Sequence, residues 1–121
     1  MEIGVFEIKQ NAIGWFYFIF TDESEQRMFV SSSFERRSEL EKCLAEVRDI
    51  STYASIYDAD DFLKRPLFVI YEIDEGFTFS LIGYQGEIIL SSRVFTLKLE
   101  CISAILYLKQ LASKARILDL S

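Results

Sequence analysis

Two cysteines, two serine runs and two knots of acids are the residues of this chain that offer chemistry, and no histidine stands beside any of them. Without histidine the commonest general base and the commonest transition-metal ligand are both missing. Cys43 and Cys101 are too few and too far apart for a disulfide framework or a zinc site. Cys43 falls on the stripe Leu40, Leu44, Val47, and Cys101 lies beside Ile102 and Ile105. A reactive thiol needs an electropositive, accessible setting, whereas these positions suit a small residue packed against a sheet. Asp58, Asp60 and Asp61 form one acidic knot and Glu72, Asp74 and Glu75 another. Neither has the ordered ligand series and glycine of a calcium loop, so no metal and no cofactor is expected. Ser31-Ser32-Ser33 and Ser91-Ser92 each precede a helical stretch. A serine nucleophile would need a base that the spacing does not supply; capping of the helix N-terminus is the expectation. Gly14, Gly76, Gly83 and Gly86 stand singly at hairpin positions, outside any phosphate-binding glycine motif. No catalytic residue is expected, and an enzyme is not.

The elements that would position such residues fit one domain of 121 residues, because half of it would be marginal alone. Half the residues are apolar, enough for a core without disulfide or metal. A formal net charge of −6 cannot neutralise many phosphates, so nucleic acid is an unfavourable partner. The start, MEIGVFEIKQ, lacks the basic region of a signal peptide, and no apolar run reaches the roughly 20 residues that span a bilayer. A cytoplasmic protein without membrane contact is expected.

Alternation predicts strands over 3–9, 15–21 and 27–32, and apolar residues at helical spacing predict a helix over Glu35–Ile50. A short strand follows over 52–57. The order then repeats. Phe68 and Ile70 stand 62 positions after Phe6 and Ile8, and Phe77, Phe79 and Leu81 stand 62 after Trp15, Tyr17 and Ile19. The turn Gly83-Tyr84-Gln85-Gly86 reads as one residue shorter than its counterpart, which lowers the spacing to 61 for Ser31/Ser92, Phe34/Phe95, Leu44/Ile105 and Val47/Leu108. Two repeats, 3–58 and 67–121, with a linker at 59–66, make one domain.

Phe77-x-Phe79-x-Leu81, Gln85-Gly86-Glu87-Ile88-Ile89, Ser92-x-x-Phe95 and Lys98-x-x-Cys101-x-x-x-Ile105 together resemble the YegP-like family of small bacterial proteins of unknown function. The resemblance implies an α+β fold: tandem β-β-β-α-β repeats merged into a single antiparallel sheet, their last strands exchanged, with two helices on one face (Glu35–Ile50 and Thr96–Ala112). In single-copy relatives a dimer would make the same pairing. The first copy departs from the pattern, with Glu25-Gln26 and Arg27 in place of Gly-Glu-Ile, and Leu40 where the second has Cys101.

Helices on one face leave the other open. In the 62-residue alignment Phe16 and Phe18 replace Thr78 and Ser80 on that open face, near Val69 and Tyr71. Phe16, Phe18, Val69 and Tyr71 are therefore the expected interaction face, for a homodimer or another protein partner. The alternatives are a small apolar or aromatic ligand in a groove lined by Phe16, Phe18 and Tyr71, or a linker with Phe62 and Leu63 folded over the face.

Overall fold

The computed structural model of the chain describes residues 4–22, 26–58 and 66–121. Each half runs strand, strand, strand, helix, strand. The first holds β1 (Val5–Gln10), β2 (Phe16–Thr21), β3 (Arg27–Ser31), α1 (Arg37–Ile50) and β4 (Ser55–Asp58). The second holds β5 (Leu67–Ile73), β6 (Gly76–Ile82), β7 (Ile88–Ser92), α2 (Lys98–Leu111) and β8 (Arg116–Asp119). Residues 59–65 of the expected 59–66 linker, with Phe62 and Leu63 and two of the acids of the first knot, Asp60 and Asp61, lie outside the described residues.

All eight strands form one sheet in the order β4-β5-β6-β7-β3-β2-β1-β8. The sheet is mixed rather than antiparallel throughout. β4 runs parallel to β5, and β8 runs parallel to β1. Each last strand follows its helix to the far edge of the sheet, where it lies beside the first strand of the other half and runs opposite to the strand before its helix. At the centre β3 and β7 pair antiparallel, with Phe29 opposite Ser92 and Ser31 opposite Leu90. Ser31 and Ser92 are 61 residues apart, as are Phe29 and Leu90, so the pairing is reciprocal about Val30 and Ser91.

The register corrects the expected alignment of the halves. Phe6 pairs with Phe20 and Phe68 with Leu81, which matches Phe16, Phe18 and Phe20 to Phe77, Phe79 and Leu81 at a spacing of 61. The odd residue sits in the β1–β2 turn, not in the turn at Gly83–Gly86. That second turn closes with Gly83 N–H donating to Glu87 O, the same span as Asp22 N–H to Gln26 O in the first half. Both halves also shift register at matching points, between Phe20 and Thr21 and between Leu81 and Ile82.

Because strand side chains alternate with a period of two, this single residue moves every β2 side chain to the other face. Phe16, Phe18 and Phe20 point toward the helices, not away from them. Phe6, Phe18, Phe20, Phe29, Phe68, Phe79 and Leu81 form one core cluster with Leu40, Leu44 and Val47 of α1 and Cys101, Ile105 and Leu108 of α2. Rings meet edge-on, tilted or stacked within it, Phe6 tilted against Phe20 at 4.7 Å and Phe20 stacked on Phe29 at 5.5 Å between centroids. On the face without helices lies a second, smaller cluster of Leu67, Val69 and Ile82, with Tyr71 packed against it.

Each helix begins with a carboxylate folded back on its own first amide. Arg36 N–H donates to Glu39 Oε1 at 3.2 Å, and Leu97 N–H to Glu100 Oε1 at 3.0 Å. Negative charge at a helix N-terminus also suits the helix dipole. The expected serine caps are therefore absent. At the other ends the helices cap each other. Arg48 donates to Ser113 O at 2.9 Å, and Lys109, 61 residues later, donates to Ala54 O and Ser51 O beyond α1. Cations facing orphan C-terminal carbonyls are favourable for the same reason.

Candidate functional site

The serines that precede the helices serve the sheet. Ser31 Oγ accepts the Phe18 N–H at 2.9 Å and donates to Ser32 O at 2.8 Å. Ser92 Oγ does the same for Phe79 N–H and Arg93 O, at 2.9 and 2.8 Å, with Thr78 Oγ1 3.0 Å away. Here the chain after β3 or β7 leaves the ladder before bridging back at Phe16–Phe34 and Phe77–Phe95, and in the gap a hydroxyl accepts the amide in place of a backbone carbonyl. Neither serine has a base beside it.

The thiols are held protonated. Burial, with Glu46 and Glu87 nearby, pushes Cys43 up to about 12, and burial pushes Cys101 up to about 11. The thiolate is the nucleophile, so neither is poised for chemistry. Among the described residues no group of three His, Cys, Asp or Glu side chains could hold a metal ion. Glu72, Asp74 and Glu75 stand exposed around the β5–β6 turn. Among the described residues no helix is long and apolar enough to cross a membrane.

The expected interaction face divides between the two sides of the sheet. Phe18 is fully buried and Phe16 half-buried in the helix-side core, and Val69 is fully buried on the other side. Only Tyr71, half-buried, keeps some exposure there. No ligand groove can therefore join Phe16 and Phe18 to Tyr71. The row that crosses the open face reads Val69, Ser80, Ser91, Val30, Ile19, Glu7, Leu118. Ser80 and Ser91 bond to each other at 3.0 Å in its middle, so the apolar members are interrupted by polar ones. Val30 and Ile73 are exposed on this side, and Trp15, next in the chain to the helix-facing Phe16, at its margin.

A groove of about 770 Å³ lies between α1, β1 and β8. Ile8, Leu44 and Ile117 give it an apolar floor, and Tyr53 and Thr52 stand at one end. Its two guanidinium groups are already engaged. Arg37 is ion-paired with Asp119 and, at 3.4 Å, with Glu41, and Arg48 bonds to Ser113 O. The hydrogen bond from Arg37 holds the Asp119 carboxyl down at about 2. Tyr53 bonds to Tyr84, which lifts its phenol to about 12.

The surface missed in the sequence is the outside of α2. Leu99 is 71% exposed, Leu97 59% and Leu106 51%. The signal was present: 61 residues earlier stand Ser38, Arg36 and Ala45. α2 carries large apolar residues on its outer as well as its core side where α1 is amphipathic, and an apolar outer side is ordinarily covered.

Among solved structures, YegP of E. coli, described as a protein of unknown function, superposes with a TM-score of 0.76 at 19% identity. The match covers 99% of this chain and 95% of that one. The fold is the YegP fold. A UPF0339 protein from Shewanella oneidensis matches with a TM-score of 0.80 at 14% identity, over 97% of this chain and 91% of that one. No family model matches the sequence, and no curated protein does. At these identities the YegP likeness is one of architecture, and it carries no activity to this chain.

Proposed function

We propose that the protein is a small, non-catalytic bacterial interaction protein of the cytoplasm that associates with a second copy of itself. It is read here as two copies of one β-β-β-α-β unit in tandem. The observation that carries the proposal is the bare apolar outside of α2, where Leu97, Leu99 and Leu106 stand in water. Exposed apolar surface of this kind marks contact sites in soluble proteins. The chemistry of the remaining side chains agrees. The sheet serines are committed to backbone amides, the thiols are held protonated, and the charge of −6 opposes phosphate-rich partners. The open sheet face is the weaker surface for this purpose, because Ser80, Ser91 and Glu7 break its apolar row. Native mass spectrometry over a concentration series tests the reading. A dimer mass without adduct is expected, and a bare monomer at every concentration overturns it.

A second reading rests on the 770 Å³ groove, whose apolar floor suits a small apolar or aromatic ligand. Its mark in the same experiment is a monomer carrying a small adduct.

A further inference from the structure

We propose that the dimer forms by antiparallel packing of α2 against α2 of a second copy, about a two-fold axis passing beside Ser103. The inference rests on the self-association reading above and names its surface and geometry.

Three observations lead to it. The first is an internal comparison. The exposed positions Leu99, Ser103 and Leu106, with the half-buried Ile102 at their edge, correspond, 61 residues earlier, to Ser38, Lys42, Ala45 and Glu41 on α1. The same place in the same architecture is polar or small on one helix and mostly apolar on the other. Core packing does not ask for this: the core side of α2 is already filled by Cys101, Ala104, Ile105 and Leu108.

The second is charge. α2 carries three charged side chains, Lys98, Glu100 and Lys109. Glu100 is turned back onto the Leu97 amide, and Lys109 reaches the carbonyls beyond α1 and lies 5.9 Å from the centre of the Phe68 ring. Lys98 also has an interaction within the chain. The stripe from Leu99 to Leu106 holds no charge, so packing it away requires no ion to be stripped of water.

The third is self-complementarity. A two-fold contact places the same patch on both partners. Centred between Ile102 and Ser103, an antiparallel crossing sets Leu99 against the second copy's Leu106, and Leu106 against its Leu99. Ser103, exposed and small, falls at the crossing point, where helix axes approach most closely. Antiparallel packing also opposes the helix dipoles, whereas a parallel arrangement would bring like ends together. Helix axes about 8–10 Å apart with a Cα radius of about 2.3 Å leave facing Cα atoms roughly 3.5–5.5 Å apart. That overlaps disulfide reach.

The size of the contact sets its strength. A helix of 14 residues is about 21 Å long, and one such face covers on the order of half the ~800 Å² per partner of a standard interface. A contact this small makes a weak dimer, half-associated at roughly 10–300 μM, within reach of both mass measurements.

Sedimentation velocity of the full chain up to about 1 mM tests this with three variants. For the wild type the average mass rises with concentration toward that of a dimer. Leu99→Glu with Leu106→Glu remains monomeric throughout, with an unchanged circular dichroism spectrum because both sites are exposed. Ser103→Cys yields a covalent dimer on a non-reducing gel under oxidising conditions in which the wild type, whose thiols lie on other sides of the helices, yields none. Trp15→Ser, on the open sheet face, associates like the wild type. A wild-type dimer that survives the double substitution, or a Ser103→Cys chain that does not cross-link while the wild type dimerises, overturns the α2 interface and leaves self-association standing. A wild type that stays monomeric overturns both. Loss of association in Trp15→Ser alone moves the contact to the sheet.

Discussion

Replacing Ser31 with alanine tests whether the serines before the helices belong to the sheet or to the helix caps. Ser31 Oγ is the acceptor for the Phe18 amide at 2.9 Å, and Phe18 is fully buried. Alanine leaves that N–H in the interior with no partner and no route to water. An orphaned buried donor costs about 1–3 kcal/mol. The lost bond from Ser31 to the exposed Ser32 carbonyl adds little, because water replaces it. The expected loss is about 2 kcal/mol, which at an m value of about 1–3 kcal/mol/M lowers the urea midpoint by roughly 1 M. Ser92→Ala removes the matching bond to Phe79 N–H, but Ser92 is half-buried and Thr78 Oγ1 lies 3.0 Å away. Its expected cost is nearer 1 kcal/mol. Ser33→Ala, at an exposed position before α1, changes stability by less than about 0.5 kcal/mol. Equilibrium urea unfolding at constant m reads all three. A midpoint for Ser31→Ala within about 0.2 M of the wild type, or a larger loss for Ser33→Ala, refutes the reasoning and restores the capping role.

Four further outcomes are expected. Gly76 has φ +145°, and an added Cβ would meet the Phe95 carbonyl oxygen at 2.1 Å, so Gly76→Ala costs about 2–4 kcal/mol. Gly14, at φ +88° with open space around it, loses only about 1–2 kcal/mol on the same change; thermal melts distinguish the two. Ser51 Oγ is buried without a hydrogen-bond partner among the described residues, and Ala112 stands 61 residues later, so Ser51→Ala leaves stability unchanged or raises it by about 1 kcal/mol. Asp119, held at about 2 by Arg37, contributes stability that is present above the ordinary carboxylate range and lost as pH falls through about 2. Arg37→Ala returns its titration, followed by NMR, toward the ordinary 3.8. Cys43 and Cys101, raised to about 12 and 11, react with iodoacetamide at pH 8 far more slowly than a free thiol, until the chain is unfolded.

The sequence by itself determined the order of elements, the placement of both helices and the near-61-residue spacing. Hydrophobic periodicity and turn residues are local properties, and α1 and α2 begin and end within two residues of expectation. It also carried the apolar outside of α2, legible as Leu97, Leu99 and Leu106 against Arg36, Ser38 and Ala45. Tertiary structure decided which way β2 faces. Phe16–Thr21 is apolar on both sides, so no amphipathic pattern distinguishes a spacing of 62 from one of 61, and only pairing of Phe6 with Phe20 settles it. One residue then carries Phe16 and Phe18 from the expected surface into the core. The parallel pairings of β4 and β8 likewise depend on which distant strand each reaches, and the serines' partners on the gap between the β2–β3 and β6–β7 ladders and the bridges beyond them. Residue types set what each segment can be; the long-range pairing of strands sets which side of it meets water.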